Sequence, residues 1–257
     1  MHSLLAELPN NLLAKYKKLI VVGDLHGDYV SFSSVLNIIN PAKDLIIFLG
    51  DYADRGTSGT EVIEGVSRLL NRSRKNVVLL KGNHEDYTEN GEPKFSPWTL
   101  ISEIERRKEA WHHYFKQKLD PFLKSLYLAA MIPGRLLFVH GGVSDKINTL
   151  NDLRFPTENV KEDVLWSDPF EGLGEHHNYK RGGAGVEFGK DVSVKICEKL
   201  GVKRIIRSHE PQKALNGPVY SHGGKLVTIS STRVYGGNPV VLSFNPSNLS
   251  RSHVIRL

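Results

Sequence analysis

The sequence predicts an α/β domain built around a parallel sheet, and two features of the chain lead to this fold class. Fully apolar runs alternate with stretches in which apolar residues recur at helical spacing, the pattern of βαβ units in a sheet covered on both faces. Three of these runs are each followed, directly or after one Lys, by a Gly and a polar cluster. The chain has 257 residues and shows no linker, repeat or low-complexity tract, so we predict one domain over residues 1–257.

The first third of the chain supplies the clearest elements. Strands are predicted at residues 19–22, 45–49 and 77–80, with amphipathic helices between them at 30–39 and 62–70. In parallel sheets, ligands bind beyond the carboxyl ends of the strands. The polar clusters that follow these strands therefore mark the expected site.

Elsewhere the pattern is less regular but still assigns most of the chain. In chain order, the remaining predictions are a helix packed on the domain at 4–16, aromatic-rich helices at 97–128, a strand at 136–139, loops around a site at 145–190, a helix at 191–199, a strand at 204–206, and antiparallel strands at 218–220, 226–229, 240–244 and 254–257.

Composition excludes several classes of protein. The one cysteine, Cys197, rules out an intrachain disulfide framework and a Cys-rich metal site, and it favours the reducing cytoplasm. Cys197 is unsuited to be the nucleophile of a cysteine-dependent phosphatase, because Lys203 rather than an Arg stands six positions later. No apolar stretch approaches the length of about 18 residues that spans a membrane, and no membrane partner is predicted. The formal charge of +6 comes without a run of like charges, so we predict no nucleic-acid partner.

Five polar clusters, each following an apolar run, carry the candidate metal ligands and catalytic groups. Asp24 and His26 stand at positions i and i+2 after a strand, where their side chains point the same way and can meet one cation. Asp51 follows the next strand and can bridge two cations. Arg55 offers a planar fork of donors to a phosphate, whereas Asp54 is equally consistent with a helix cap. The other clusters contribute Asn83, His84, His140 and His209.

In order and spacing, these clusters resemble the motifs of the PPP family of serine/threonine phosphatases, the metallophosphatases that include calcineurin. They are Gly-Asp-Leu-His-Gly, Gly-Asp-Tyr-Ala-Asp-Arg-Gly, Gly-Asn-His-Glu, His-Gly-Gly and Arg-Ser-His-Glu, and residues 165–169 resemble the family's Trp-Ser-Asp-Pro segment. The resemblance extends from residue 23 to about residue 237. The short length and compact loops are more similar to the prokaryotic branch than to the eukaryotic enzymes.

The resemblance implies a calcineurin-like four-layer αββα sandwich that holds two divalent cations. We expect Mn²⁺, although oxygen and imidazole donors without thiolate also suit Fe or Zn²⁺. The implied site residues are Asp24, His26 and Asp51 for one cation; Asp51, Asn83, His140 and His209 for the other; His84 as general acid, oriented by Asp54; and Arg55, Arg181 and Tyr235 for the substrate phosphate.

The implied reaction is hydrolysis of phosphoserine and phosphothreonine monoesters in proteins or peptides. A hydroxide bridging the two cations would attack phosphorus directly, and a positioned acid would protonate the leaving oxygen. Two segments depart from the family pattern. The segment that begins at Arg181 has one residue inserted, and residues 230–237 lack the family's Pro and Cys and carry Arg233. The second departure concerns inhibitor binding and peptide selectivity rather than the metals.

Two other functions stay open. A dinucleoside polyphosphate hydrolase, such as one acting on diadenosine tetraphosphate, shares this metal core, but those enzymes usually have Asp where this chain has Glu85. A metal-dead phosphopeptide-binding module belongs to a different class of protein. The presence of every expected ligand and of His84 argues against it.

Overall fold

The computed structural model describes residues 3–257, whose strands form two large sheets and one small sheet. The strands are β1 (Leu5–Glu7), β2 (Lys18–Val22), β3 (Asp44–Phe48), β4 (Val77–Leu79), β5 (Ala129–Ile132), β6 (Leu136–Val139), β7 (Asp168–Pro169), β8 (Glu175–His177), β9 (Val186–Phe188), β10 (Arg204–Arg207), β11 (Val219–Ser221), β12 (Leu226–Thr228), β13 (Val240–Asn245) and β14 (Asn248–Arg256). The α-helices are α1 (Asn10–Leu13), α2 (Tyr29–Ile38), α3 (Gly59–Arg72), α4 (Thr99–Arg106), α5 (Trp111–Tyr114), α6 (Asp120–Leu123), α7 (Leu150–Arg154), α8 (Glu158–Trp166) and α9 (Lys190–Lys199).

The five-stranded sheet has the order β14-β13-β2-β3-β4 and contains the predicted βαβ units. β2, β3 and β4 pair in parallel, and α2 and α3 make the crossovers between them. β13 joins the other side of β2 in antiparallel orientation and forms a hairpin with β14. The predicted parallel core is therefore confirmed, with an antiparallel extension at one side.

The six-stranded sheet has the order β1-β5-β6-β10-β12-β11 and mixes parallel with antiparallel pairs. β6, β10 and β12 run in parallel, so the carboxyl ends of β6 and β10 meet at one edge. The prediction of an antiparallel tail is right for the pairs β11–β12 and β13–β14, but β12 also pairs in parallel with β10, which was not predicted. The segment 208–225 is long enough to return the chain to the start of the sheet, and the short apolar run gives no sign of this.

The helix predicted for residues 4–16 is wrong, because the chain forms β1 and then only the short α1. β1 pairs in parallel with β5, and the backbone N–H of Leu8 donates to the Met131 carbonyl at 2.9 Å. Leu5 packs in one apolar core and Ala6 in another, so successive residues are buried on opposite faces. Short apolar runs are ambiguous between helix and strand, and here the free edge of a sheet decides.

The middle of the chain contains more regular structure than the sequence predicts. The helical stretch at 97–128 is confirmed as α4, α5 and α6, with a π-helical turn at Phe115–Leu119. Residues 145–190, predicted as loops, contain α7, α8 and the three-stranded sheet β7-β9-β8. This small sheet stands beside the edge of the sandwich where the predicted site lies.

Three apolar cores separate four layers. The two large sheets pack face to face around a core that includes Ile47 of β3 and Phe138 of β6. The outer face of the five-stranded sheet, with Phe48, packs against α2 and α3, and the outer face of the six-stranded sheet, with Ile205, packs against α8 and α9. The expected αββα sandwich is therefore confirmed. Among the described residues, no helix has the length and apolar character needed to cross a membrane.

Candidate functional site

The six expected metal ligands lie together at the carboxyl ends of strands from both large sheets. The five-stranded sheet contributes one group and the six-stranded sheet another. From β2, β3 and β4 come Asp24, His26, Asp51 and Asn83, and from β6 and β10 come His140 and His209. Each of these side chains belongs to a residue that is no more than 4% exposed. The structure thus brings these side chains together at the strand ends, as the sequence predicts.

Asp51 stands between two groups of donor atoms. His26, Asp51 and His84 form one group, and Asp51, His140 and His209 form the other; within each group the donor atoms lie within 4.8 Å of one another. The two Asp51 carboxylate oxygens are divided between these groups. Oδ2 lies 3.5 Å from His26 Nε2, and Oδ1 lies 3.4 Å from His140 Nε2. A shared carboxylate with one oxygen toward each group is the arrangement expected of a bridging ligand.

The donor atoms face each other in a way that fits a cation. His140 Nδ1 lies 2.9 Å from the Leu49 carbonyl, which assigns the ring proton to Nδ1 and a lone pair to Nε2. His140 Nε2 lies 3.0 Å from Asn83 Oδ1, which is also an acceptor, and 3.1 Å from His209 Nδ1. Within residues 3–257, Asp24 Oδ2 and His209 Nε2 are buried without a hydrogen-bond partner. Acceptor atoms that converge in a buried site are unfavourable, and a divalent cation relieves this.

Burial shifts the pKa values of the same groups. Loss of solvation raises the pKa of Asp24 to about 6 and that of Asp51 well above its usual range. The same effect lowers the pKa of His140 to about 3 and that of His209 well below its usual range. The carboxyl groups are therefore biased toward their neutral forms in the absence of a counter-charge. A bound cation would reverse that bias and release protons from the carboxyls.

The backbone at the site is bent into the left-handed region. His26, Asp51, Asp54, Arg55 and His209 have φ angles of 48°, 55°, 65°, 67° and 70°. Non-glycine residues rarely adopt this region, and such residues cluster at functional sites. These turns point the side chains back over the strand ends. No periodicity or composition signal in the sequence reports such angles.

His84 and Asp54 form a buried pair beside the first donor group. His84 Nδ1 lies 3.0 Å from Asp54 Oδ2, and Asp54 Oδ1 accepts from the Leu100 N–H, in the first turn of α4, at 2.8 Å. The His84 ring packs against Phe95 with 4.6 Å between the ring centroids. Burial lowers the pKa of His84, and the hydrogen bond to Asp54 opposes that shift. Asp54 therefore contacts the imidazole and also accepts a hydrogen bond from the first turn of α4, rather than capping the helix that follows it in sequence.

A cleft of about 1120 Å³ opens over these groups, and the three expected phosphate-binding residues line it. Arg55 is exposed and donates from Nη2 to the Ser96 carbonyl at 3.3 Å. Arg181 donates to both carboxylate oxygens of Asp168, at 2.7 and 3.2 Å, and to the His209 carbonyl at 3.3 Å. The Tyr235 ring packs edge to face against the His26 ring, with 5.7 Å between the ring centroids. All three sequence-predicted positions therefore face the same space as the donor groups.

Glu85 ties two of the ligand-bearing loops together, a role that sequence reasoning missed. Its carboxylate accepts from the backbone N–H groups of Asp51 at 2.8 Å, Tyr52 at 3.0 Å and Gly82 at 2.9 Å. Burial raises the pKa of Glu85 to about 7. Gly82 is required here, because a Cβ on it would overlap Asp51 Oδ1. The Gly-Asn-His-Glu motif contains this residue, but the motif alone does not indicate its contacts with the neighbouring loop.

A second missed feature is the pairing of Asp168 with two arginines. Arg207 is fully buried and donates to Asp168 Oδ1 at 3.1 Å, and it also contacts the Gly141 carbonyl and Glu210. Asp168 thus lies between Arg207 and Arg181 and holds the second of them at the edge of the cleft. The Trp-Ser-Asp-Pro resemblance pointed to the segment but not to this contact.

Arg233 turns away from the cleft and anchors the loop that carries Tyr235. Its backbone N–H donates to Asp28 Oδ2 at 2.6 Å, and its Nη1 donates to Ser31 Oγ at 2.8 Å. Asp28 itself caps α2 and follows His26 by two residues. The residue that departs from the family pattern therefore links the Tyr235 loop to the first ligand-bearing loop.

Comparison with known proteins agrees with this geometry. Residues 17–213 match the calcineurin-like phosphoesterase family. A Caenorhabditis elegans protein named serine/threonine-protein phosphatase C23G10.1 is 33% identical over 84% of this chain and 47% of its own length. The chain spans about half the length of the curated relatives it matches. The similarity to the prokaryotic branch stays a prediction.

Two solved structures have a similar fold. A protein serine/threonine phosphatase from Saccharomyces cerevisiae, described as similar to human phosphatase PP5, has a TM-score of 0.79 and 26% identity over 95% of this chain and 78% of that chain. A candidate diadenosine tetraphosphatase has a TM-score of 0.60 and 13% identity over 100% of this chain and 98% of that chain, which is a likeness of fold alone. With the family match covering most of its length, this chain belongs to the calcineurin-like phosphoesterase family.

Proposed function

We propose that this chain hydrolyses phosphoserine and phosphothreonine monoesters in proteins. The observation that carries the proposal is the His84–Asp54 pair, 3.0 Å apart, beside two donor groups that share Asp51. Donor groups alone would suit many metal sites. A buried imidazole held by a carboxylate next to them adds the general acid that an alkyl phosphate needs.

The proposed ligand sets combine these donor groups with the family resemblance, which adds Asp24 and Asn83 and takes His84 as the acid rather than as a ligand. Asp24, His26 and Asp51 would hold one divalent cation, and Asp51, Asn83, His140 and His209 would hold the other. We propose Mn²⁺, with Fe or Zn²⁺ as alternatives, because the donors are oxygen and imidazole nitrogen without thiolate. When bound, two such cations would activate water for in-line attack and polarise the phosphoryl group.

The residues of the chain itself would supply proton transfer and charge. With Nδ1 of His84 held by Asp54, the ring would deliver a proton from Nε2 to the leaving serine or threonine oxygen. Arg55 and Arg181 would bind phosphoryl oxygens, on which charge accumulates during transfer. Arg181 would act without much reorganisation, because Asp168 already fixes the plane of its guanidinium group.

The proposal also includes the setting of the reaction. The substrates would be phosphorylated proteins or peptides, with no membrane or nucleic-acid partner, and one catalytic domain over residues 1–257 would act on them. We propose a cytoplasmic location, because the one cysteine, Cys197, is buried and unpaired, as is common in a reducing compartment.

A dinucleoside polyphosphate hydrolase is the second candidate. The likeness of fold to the candidate diadenosine tetraphosphatase is the observation in its favour. Rates with a phosphothreonine peptide and with diadenosine tetraphosphate, measured on the same metal-loaded protein, separate the two. A higher kcat/KM for the nucleotide would replace the protein phosphatase proposal.

Metal dependence gives the first test. We expect the protein loaded with Mn²⁺ to contain about two ions per chain and to hydrolyse p-nitrophenyl phosphate and a phosphothreonine peptide, and the chelated protein to do neither. His209→Ala, which removes one donor, should lose metal and activity. His112→Ala on α5, which removes an exposed imidazole outside the cleft, should keep both.

Metal content by elemental analysis and initial rates measure these outcomes. If the protein carries two metals and binds the phosphothreonine peptide without hydrolysing it, the phosphatase proposal fails. The chain would then be a phosphopeptide-binding module that also binds metal.

The anchor at Arg233 gives a second prediction. Arg233→Met should lower kcat/KM for a phosphothreonine peptide, by up to about 10²-fold if the Tyr235 loop shifts by about 1 Å. The effect should be non-additive with Tyr235→Ala, because both changes remove the same contact with the substrate. Arg251→Met on the exposed face of β14 is the matched control. Fully additive losses in the double variant would show that Arg233 acts independently of the tyrosine.

A further inference from the structure

Three separate walls of the cleft each carry a lysine. Lys94 lies in the loop before α4, Lys180 in the turn between β8 and β9, and Lys213 in the turn that follows β10. Their side chains are 45%, 78% and 34% exposed. Neighbouring residues in each wall also line the cleft, so three separate segments of the chain each bring an ammonium group to the space over the donor groups.

The acidic groups near these lysines do not cancel their charge. Lys94 lies 3.9 Å from Asp86 and 4.0 Å from Glu158, and both acids are also paired with Lys161, at 2.9 and 3.5 Å. Lys213 lies 3.4 Å from Glu210, whose carboxylate is held by the buried Arg207.

Lys180 has a closer partner, but that partner is outside the cleft. It pairs with Glu187 at 2.7 Å, and Glu187 is not among the residues that line the cleft. Arg55 adds a further positive charge, whose hydrogen bond goes to an uncharged carbonyl. Apart from Asp51 and Glu210, the acid that lines the cleft is Glu171. The rim therefore has an excess of positive charge.

The cleft is large enough for more than a phosphate group. Its volume of about 1120 Å³ exceeds most pockets that hold small molecules, which are about 300–1,000 Å³. Phe95, Trp166 and Phe170 also line it and provide apolar surface for side chains that flank the phosphoresidue. Space, apolar contact and charge thus coincide in the cleft over the donor groups.

We propose that Lys94, Lys180 and Lys213 make the cleft selective for phosphopeptides with acidic residues flanking the phosphoresidue. The inference rests on the proposed phosphatase function and adds the class of substrate. Carboxylates of the peptide would pair with these ammonium groups, while the phosphate enters between Arg55 and Arg181. Exposed ion pairs are individually weak and screened by salt, so the preference arises from several of them acting together.

The test uses three phosphothreonine peptides that differ only in their flanks, which are Glu, Ser or Lys. At low salt we expect kcat/KM to fall in that order by about 10-fold overall, since each exposed pair contributes at most about 5-fold. The variant Lys94→Glu/Lys180→Glu/Lys213→Glu should reverse the order. Lys124→Glu is the matched control, because Lys124 is 74% exposed, pairs with Asp120 at 2.7 Å and lies outside the cleft.

A second measurement needs no variant and stands if the triple variant does not fold. With the unmodified protein, raising the salt from about 0.05 to 0.5 M should remove most of the preference, because the screening length falls from about 14 Å to about 4 Å. Equal kcat/KM for the three peptides at low salt overturns the proposal, as does a preference that salt leaves unchanged. An unchanged order in a folded triple variant also overturns it.

Failure of the substrate preference is distinguishable from failure of the function. If the Mn²⁺-loaded protein hydrolyses p-nitrophenyl phosphate and all three peptides equally, only the preference falls. If it hydrolyses none of these, the phosphatase proposal falls and the preference falls with it. A kcat/KM for diadenosine tetraphosphate above that of every peptide assigns the basic rim to a polyphosphate and overturns the peptide preference.

Discussion

Replacement of His84 by Asn is expected to lower kcat on a phosphothreonine peptide by about 10²–10⁴-fold while both metals stay bound. The threonine alkoxide is a poor leaving group and needs a proton, whereas p-nitrophenolate leaves readily without one. The loss on p-nitrophenyl phosphate should therefore be much smaller. Elemental analysis together with kcat for both substrates measures the difference. The ratio of the two losses separates an acid from a general structural role.

Asp54→Asn supplies the control for this prediction. It keeps the size of the side chain and its acceptor for the Leu100 N–H, but it weakens the contact that holds His84 Nδ1. We expect a smaller loss with the same dependence on the leaving group. His84 also belongs to a donor group with His26 and Asp51. Loss of metal in His84→Asn would therefore contradict its assignment as the general acid and would identify it as a metal ligand.

Replacement of Asp51 by Asn should have the largest effect on the metal site. Asp51 belongs to both donor groups, so one change removes a negative charge from two sites at once. Loss of a hydrogen-bond partner that supports a ligand typically costs about 10–100-fold in metal affinity or activity. Loss of a shared ligand should exceed this range, with metal content falling from about two ions per chain to one or none. Metal content and kcat/KM at saturating Mn²⁺ are the measurements.

Glu85→Gln is the matched comparison for Asp51→Asn. It removes the same charge from a neighbouring buried carboxylate that contacts the Asp51 backbone and is not among the donor atoms. We expect it to keep both metals with affinity reduced by about 10–100-fold. If Asp51→Asn and Glu85→Gln had equal effects, Asp51 would be a support for the site rather than its bridge.

The strand-end rule is what made the metal site predictable from sequence. Asp24, Asp51 and His140 each follow a fully apolar run, and parallel strands bring such ends to one edge. The same rule could not say that these strands belong to two sheets. It also could not reveal the left-handed angles of His26 and His209, because those angles come from how the loops pack and not from the residue types.

The sequence could not predict features that depend on contacts between residues far apart in the chain. Arg233 was noted as a departure from a family pattern, but its partners Asp28 and Ser31 are more than 200 positions away, and no local signal pairs them. Arg181 was predicted to face phosphate and does line the cleft, yet its bond to Asp168 depends on the small sheet that was predicted as loops. The N-terminal error has the same origin, since only the open edge at β5 makes residues 5–7 a strand.

The division of the ligands between the two large sheets has a mechanical consequence. Asp24 and Asp51 are fixed to one sheet and His140 and His209 to the other, and the Asp24 N–H donates to Ser208 Oγ across the same boundary at 2.8 Å. A pair of cations held there would act as a crosslink between the halves of the sandwich. Metal affinity and docking of the sheets would then be a single equilibrium. Substitutions deep in the apolar core between the sheets, far from any ligand, would then weaken metal binding.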